Sequence, residues 1–320
     1  MTWRPNAGVE IARARASMIR RARRYFDDQD VLEVFTPALS RNTVTDPNID
    51  SVVASVNNSR YYLHTSPEYR MKQLLAAGFP DIYQVCRVFR NAESGRWHQQ
   101  EFTMIEWYRR GYDLDSIAAD AMRLITGLLD SRPLEPPKKI SYSDAFKKKY
   151  SIDPLTAPIA ELVDIAVADD ALQQSIGDNR DAWLDLVFAD RISPHFEDDR
   201  LTVIYHYPAS QAALARRCPQ DPEFADRFEI YLGAIELANG FVELTDADEQ
   251  LTRFEKDRMQ RVTDGKPEIA IDPGLIDALR AGLPECAGVA LGLDRLLMIA
   301  EGLNDITEVM TFTPGGSRGR

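Results

Sequence analysis

The sequence predicts an α+β fold, an antiparallel sheet with flanking helices. Two apolar runs, Ile82–Phe89 and Glu101–Tyr108, read as strands of one long-looped hairpin. A second strand pair is read at Arg227–Ala238 and Gly240–Leu244. Helical spacing of apolar residues brackets these pairs.

The elements follow in chain order. Ile11, Met18, Ala22, Tyr25 and Phe26 recur at helical spacing, so an opening helix runs to about Asp28. Residues 1–26 hold seven arginines and one acid, as a transit peptide might show, but the helical stripe favours an element of the fold. Val31–Val34 is a short strand that ends at Thr36-Pro37, because proline holds its predecessor extended. Residues 41–50 are a loop, and Tyr61–Leu63 a strand. Thr65-Ser66-Pro67-Glu68 opens a helix through Ala77, since proline and glutamate both suit a first turn. Residues 113–130 form a helix, and Ser131–Lys139, with three prolines, is a linker. Residues 158–172 and 178–192 read as two helices of an insertion. Leu201–Tyr207 is a strand ending at Pro208, and residues 246–262 are a charged helix. Ala287–Gly292 is a small-residue strand feeding a helix from Leu293 to about Ala300. One domain is expected over residues 1–320, with a helical insertion around 150–200.

Composition narrows the function. A chain of 320 residues can bury a full core without staples. Cys86, Cys218 and Cys286 form no C-x-x-C pair, which points to a reduced, cytoplasmic protein without a disulfide framework. The four histidines, His64, His98, His195 and His206, show no metal spacing. No apolar run reaches ~18 residues, so no membrane span or signal peptide is expected. The net charge of −12 argues against a general nucleic-acid binder. Anionic substrates must then meet locally clustered arginines. The Lys147-Lys148-Lys149 run reads as a solvated turn.

Three segments stand out together. They are the helix, strand and proline ending at Pro37; Phe89-Arg90-Asn91-Ala92-Glu93 with Arg96, His98 and Glu101–Tyr108; and Gly288-Val289-Ala290-Leu291-Gly292-Leu293-Asp294-Arg295. In that order they resemble motifs 1, 2 and 3 of class II aminoacyl-tRNA synthetases. Thr65-Ser66-Pro67-Glu68 and Glu236–Leu244 look like the lysyl-tRNA synthetase subgroup. The resemblance covers nearly the whole chain. Motif 1 begins almost at Met1, so no anticodon-binding barrel is expected. A short, acidic, barrel-less chain resembles the bacterial paralogues of that subgroup that modify elongation factor P.

The resemblance implies ATP and Mg2+ as reactants, a lysine-like amino acid as substrate and elongation factor P as acceptor, with tRNA disfavoured. It also implies a homodimer built on motif 1. Adenylation joins a carboxylate to the α-phosphorus of ATP and expels pyrophosphate. No enzyme nucleophile is needed, so catalysis is positioning plus neutralisation of spread negative charge. Arginine suits that work, because its planar fork binds phosphate or carboxylate bidentately. By resemblance, Arg90 bridges the amino-acid carboxylate and the α-phosphate. Arg295 holds the distal phosphates near His98, and Phe102 stacks on adenine. Glu229 and Glu236 would hold Mg2+; seven apart on one strand, they face opposite ways unless a bulge intervenes.

Glu68, Glu106 and Glu243 lie in otherwise apolar or small-residue segments, and carboxylates are rarely buried unpaired. Two ammonium groups of a diamino acid would pair with them; structural pairing with arginines is the alternative. By resemblance, Glu68 with Ser66 faces the amino group near the carboxylate, and Glu106, Tyr108 and Glu243 surround the distal ammonium. Asn239 and Phe241 complete the wall.

Two departures mark this chain. Ala92 stands where motif 2 usually has glutamate, and Glu93 follows it directly. Ala290 stands where lysyl-tRNA synthetases usually have glycine. Its methyl would crowd an α-amino group and favour a β-amino one, which supports the (R)-β-lysine that the resemblance implies as substrate; a packing change is the alternative. A minimal lysyl-tRNA synthetase and a non-catalytic synthetase-like subunit remain the alternatives.

Overall fold

The computed structural model describes residues 3–129 and 132–313. The chain packs as two compact units, one joining the segment up to Arg132 with that from Glu243 onward, the other Pro133–Val242.

The first unit opens with α1 (Val9–Asp27), whose Met18, Ala22 and Phe26 are buried, as the helical stripe requires. Then come β1 (Leu32–Glu33), β2 (Leu39–Ser40), β3 (Val53–Val56), β4 (Ser59–Leu63), α2 (Glu68–Ala76), β5 (Ile82–Phe89), β6 (Glu101–Arg110) and α3 (Leu114–Leu128). Phe26 of α1 stacks on Tyr83 of β5 at 4.2 Å between ring centroids, which seats the helix on the sheet. β5 and β6 pair antiparallel from Ile82↔Tyr108 to Phe89↔Glu101, the predicted hairpin. β1 runs parallel to β5. β2 and β3, absent from the sequence reading, flank β4 in a small antiparallel sheet. They are only two and four residues long, too short for an alternating pattern to register.

The second unit holds β7 (Glu135–Ser141), α4 (Tyr142–Tyr150), α5 (Ile159–Ala166), α6 (Asp170–Ile176), α7 (Arg180–Val187), β8 (Arg200–Pro208), β9 (Phe224–Leu232) and β10 (Ile235–Val242). Its strands run in the order β10-β9-β8-β7, with β7 parallel to β8 and the other pairs antiparallel. The predicted linker is largely a strand. β7 ends the strand order, and its register shifts between Glu135 and Lys138. Pro136 and Pro137 fall in that irregularity, where a missing N–H breaks no ladder. Residues 130 and 131, where the predicted helix ends and the linker starts, lie outside the described residues. Lys147, Lys148 and Lys149 form the last turn of α4 instead of a loop turn, which favours the negative end of the helix. The helix expected over 158–172 is two: Val167 turns left-handed after α5, and Asp169 caps α6.

The change with most bearing on the site lies in the second predicted strand pair. The turn falls at Gly233-Ala234, not beside Asn239. Gly233 has φ +55, which favours glycine, and a side chain there would have to displace the Asp198 carboxylate.

The first unit closes with α8 (Ala247–Thr263), α9 (Pro273–Gly282), β11 (Cys286–Gly292) and α10 (Leu293–Ala300). α9 is not in the sequence reading, although its start signal, the Asp272 cap followed by Pro273, is present. β11 pairs antiparallel with β6, so the main sheet of this unit runs β1-β5-β6-β11. Among the described residues, no helix is long and apolar enough to cross a membrane.

Candidate active site

In the first unit, alternation along β6 puts Phe102, Met104, Glu106 and Tyr108 on one face. β11 lies in register beside them, with Ala290 opposite Glu106 and Gly288 opposite Tyr108. The Glu243 N–H donates to the Cys286 carbonyl at 2.9 Å, which fixes that glutamate against the start of β11. Helix α2 contributes Glu68 and, one turn later, Lys72. The Ser66 hydroxyl accepts the Glu68 N–H at 3.3 Å and so steadies the first turn.

Five ionisable side chains thus converge. The Lys72 ammonium lies 2.7 Å from Glu68 Oε1 and 2.5 Å from Glu243 Oε2. The Tyr108 hydroxyl donates to Glu106 Oε1 at 2.7 Å. Glu106, Glu243 and Lys72 are only 1–2% exposed. Glu106 Oε2 and Glu243 Oε1 have no hydrogen-bond partner. Burial pushes the Glu106 carboxyl up to about 8; the Glu68 and Glu243 charges add to this, against Tyr108 and Lys72. Burial likewise lifts Glu243 to about 8, with Lys72 opposing and Glu68 reinforcing. For Lys72 burial acts downward, but the Glu243 and Glu68 charges outweigh it and hold its pKa above the ordinary lysine value.

The partner of Glu68 and Glu243 is therefore a lysine, not the arginines that the sequence reading weighed. The signal was available, since Glu68 and Lys72 stand at i,i+4 on a predicted helix. Gly288 keeps the cluster tight. A Cβ there would lie 2.5 Å from Tyr108 Cε1 and 2.7 Å from Glu243 Oε1.

The same face carries the arginine end of the site. The Arg90 guanidinium lies 5.2 Å from the Phe102 ring centroid, and its Nη1 is 3.3 Å from Glu93 Oε1. Its buried Nε has no hydrogen-bond partner. Ala92 adopts φ 63, a left-handed turn that costs a non-glycine residue roughly 1–2 kcal/mol and returns Glu93 toward Arg90. At about 3.3 Å per residue, Phe102 lies on the order of 13 Å along β6 from Glu106. Arg295, in the first turn of α10, places Nη2 2.7 Å from His98 Nε2 and donates from Nε to the Trp97 carbonyl at 3.2 Å. Its neighbour Asp294 is buried, accepts the Thr103 N–H at 2.6 Å and pairs with Arg15. That tie locks α10 to β6 and sets where Arg295 emerges.

In the second unit, Glu229 and Glu236 are not on one strand, as the sequence reading had them. Glu229 is on β9 and Glu236 on β10. Glu236 pairs with Tyr231, Asn239 with Glu229 and Phe241 with Arg227, with an extra residue between Glu236 and Ala238. Cross-strand partners share a face, so both glutamates lie on the same side. Glu229 accepts from Arg227 (2.6 Å) and Asn239 (3.1 Å) at Oε1, and from the hydroxyls of Tyr207 (2.6 Å) and Tyr231 (2.5 Å) at Oε2. Burial raises its pKa, with Arg227 opposing. Carboxylate oxygens on a common face suit Mg2+. Glu229, already saturated, would bind it only by giving up one of these donors. Phe241 packs on Ala212, Ala215 and Ala225.

Sequence reasoning assigned no site to His206, Cys218 and Asp226, whose ligating atoms the fold brings within 4.8 Å of one another. Asp226 already holds a cation there, Arg216 at 2.8 Å. All three cysteines are free thiols, in keeping with the absence of a disulfide framework.

A strand hairpin, a glycine-rich strand feeding a helix, and arginines on both define a class II synthetase core. The family model "tRNA synthetases class II (D, K and N)" matches residues 1–314, and the chain belongs to that family. A Klebsiella pneumoniae protein named elongation factor P–(R)-β-lysine ligase (subsp. pneumoniae, strain ATCC 700721 / MGH 78578) is 46% identical over 98% of this chain and 97% of its own length. A Salmonella arizonae protein of the same name is 45% identical over the same shares.

Proposed function

We propose that the chain is an ATP-dependent ligase that activates (R)-β-lysine as its adenylate and transfers it to a lysine ε-amino group of elongation factor P. The observation that carries this reading is the buried acidic pocket. Its two partnerless carboxylate oxygens, on Glu106 and Glu243, are acceptors awaiting donors. A buried carboxylate without a partner costs several kcal/mol, and an incoming ammonium removes that cost. Two ammonium groups and one carboxylate on one small molecule match an acidic pocket on the same strand face as Arg90.

In this reading Arg90 bridges the amino-acid carboxylate and the α-phosphate, drawing on its unsatisfied Nε. Arg295 and His98 meet the distal phosphates. Phe102 stacks on adenine once Arg90 turns to its anionic substrates, and Glu93 orients Arg90. Glu68, steadied by Ser66, faces the amino group nearer the carboxylate; Glu106, Tyr108 and Glu243 take the distal ammonium. Glu229 and Glu236 would hold Mg2+, which supplies charge neutralisation for the phosphates. The carboxylate oxygen forms a bond to the α-phosphorus and pyrophosphate leaves. The acceptor amine then attacks the acyl carbon, AMP leaves, and an amide remains. A cytoplasmic homodimer of one catalytic domain is the form in which we expect it to work.

The test is amino-acid-dependent ATP–pyrophosphate exchange, followed by mass analysis of elongation factor P. Exchange that favours (R)-β-lysine, with a matching mass gain on the acceptor, is the expected result. A preference for α-lysine with charging of tRNA would replace this reading by a lysyl-tRNA synthetase one.

A further inference from the structure

We infer that Lys72 is the resident counter-cation of the amino-acid pocket, a positioning residue that sets both the spacing of its carboxylates and its net charge. This rests on the pocket proposed above. Lys72 is as buried as Glu106 and Glu243, yet it sits on a helix, away from the strands that carry Glu106 and Tyr108. Its ammonium contacts one oxygen of Glu68 and one of Glu243. Glu106 takes the Tyr108 hydroxyl at Oε1, and its Oε2 has no hydrogen-bond partner.

The division of labour follows. With a diamino acid bound, three ionised carboxylates and the Lys72 ammonium leave two negative charges, the complement of the ligand's two ammonium groups. Without the internal cation, Glu68 and Glu243 would repel each other in a low-dielectric site, and one would hold a proton. The pocket would then present its acceptors at altered spacing and charge. With the cation present, Glu243 is held at Oε2 and presents Oε1 to the ligand. Lys72 thereby acts on the substrate through Glu68 and Glu243, and touches neither ATP nor the reacting atoms in this scheme.

The test is a double-mutant cycle of Lys72→Met and Glu68→Gln, read by ATP–pyrophosphate exchange. Lys72→Met should raise KM for (R)-β-lysine by about 30-fold or more, with KM for ATP within about twofold, as expected for one broken buried pair. In that variant the pH at which the amino-acid KM levels off should move up. The double variant should be no worse than Lys72→Met alone, since the two residues act as a unit. Additive losses, or equal losses in both KM values, would mean that Lys72 only fills space and would overturn the inference. Should Lys72→Met fail to fold, Lys72→Arg serves: it keeps the charge but moves it off the Glu243 contact. A selective rise in amino-acid KM is expected there, and an unchanged KM overturns the inference. Absence of exchange by the unaltered protein with any diamino acid would instead sink the functional reading itself.

Discussion

Ala290 and Glu106 are register partners across β11 and β6, so the one methyl that departs from a glycine lies directly beside a pocket carboxylate. Removing it should open room in the pocket. Ala290→Gly is expected to improve the use of α-lysine by about 10-fold relative to (R)-β-lysine, within the roughly 1–3 kcal/mol that a methyl commands. Exchange assays with both amino acids check this. An unmoved preference would remove Ala290 as a selector.

Gly288, two residues earlier, offers the converse experiment. Its missing Cβ lets Tyr108 and Glu243 approach from two sides. Gly288→Ala should force them apart, cost about 1–3 kcal/mol of stability, and raise KM for the amino acid more than KM for ATP. Thermal melts with steady-state kinetics would reveal both effects.

Arg90→Ala should lower exchange by about 100-fold or more, the scale for losing one aimed donor to a developing anion. Its guanidinium rests on Phe102 and Glu93 rather than in the core, so the melting temperature should change little. Exchange at the level of the unaltered protein would refute its place in the site.

The raised carboxyls give a pH dependence with a definite sign. Glu106 and Glu243 titrate near 8 in the folded chain, above the ordinary carboxylate range. Their stabilising effect is fully present below that ordinary range. It is lost as pH rises toward 8, when the empty pocket must ionise. A diammonium ligand reverses the cost. The thermal shift produced by (R)-β-lysine should therefore grow between pH 6 and about 8 and then level off. A shift that shrinks over that interval would contradict the pocket.

Much of this was legible before any coordinates. The β5–β6 hairpin declares itself through two apolar runs, and α1 through a single buried stripe. Arg90 and Arg295 sit in motifs whose order points to the family. What escaped the sequence were matters of pairing. Lys72 looks like any helix lysine until the fold buries it between two glutamates. β7 hides behind two prolines that an edge position tolerates. Glu229 and Glu236 read as one strand because the turn at Gly233 lacks a proline or asparagine to announce it.

The extra residue between Glu236 and Ala238 shifts the parity of β10. Upstream of it, even-numbered positions address the face shared with Glu229; downstream, odd-numbered ones do, so Glu236, Asn239 and Phe241 look the same way. Were β10 paired regularly through Leu237, Asn239 and Phe241 would turn to the opposite side of the sheet from Glu236, whereas deleting Leu237 would restore regular pairing and keep all three side chains on one side. How the chain pairs at this one position carries as much information as which residues it places there.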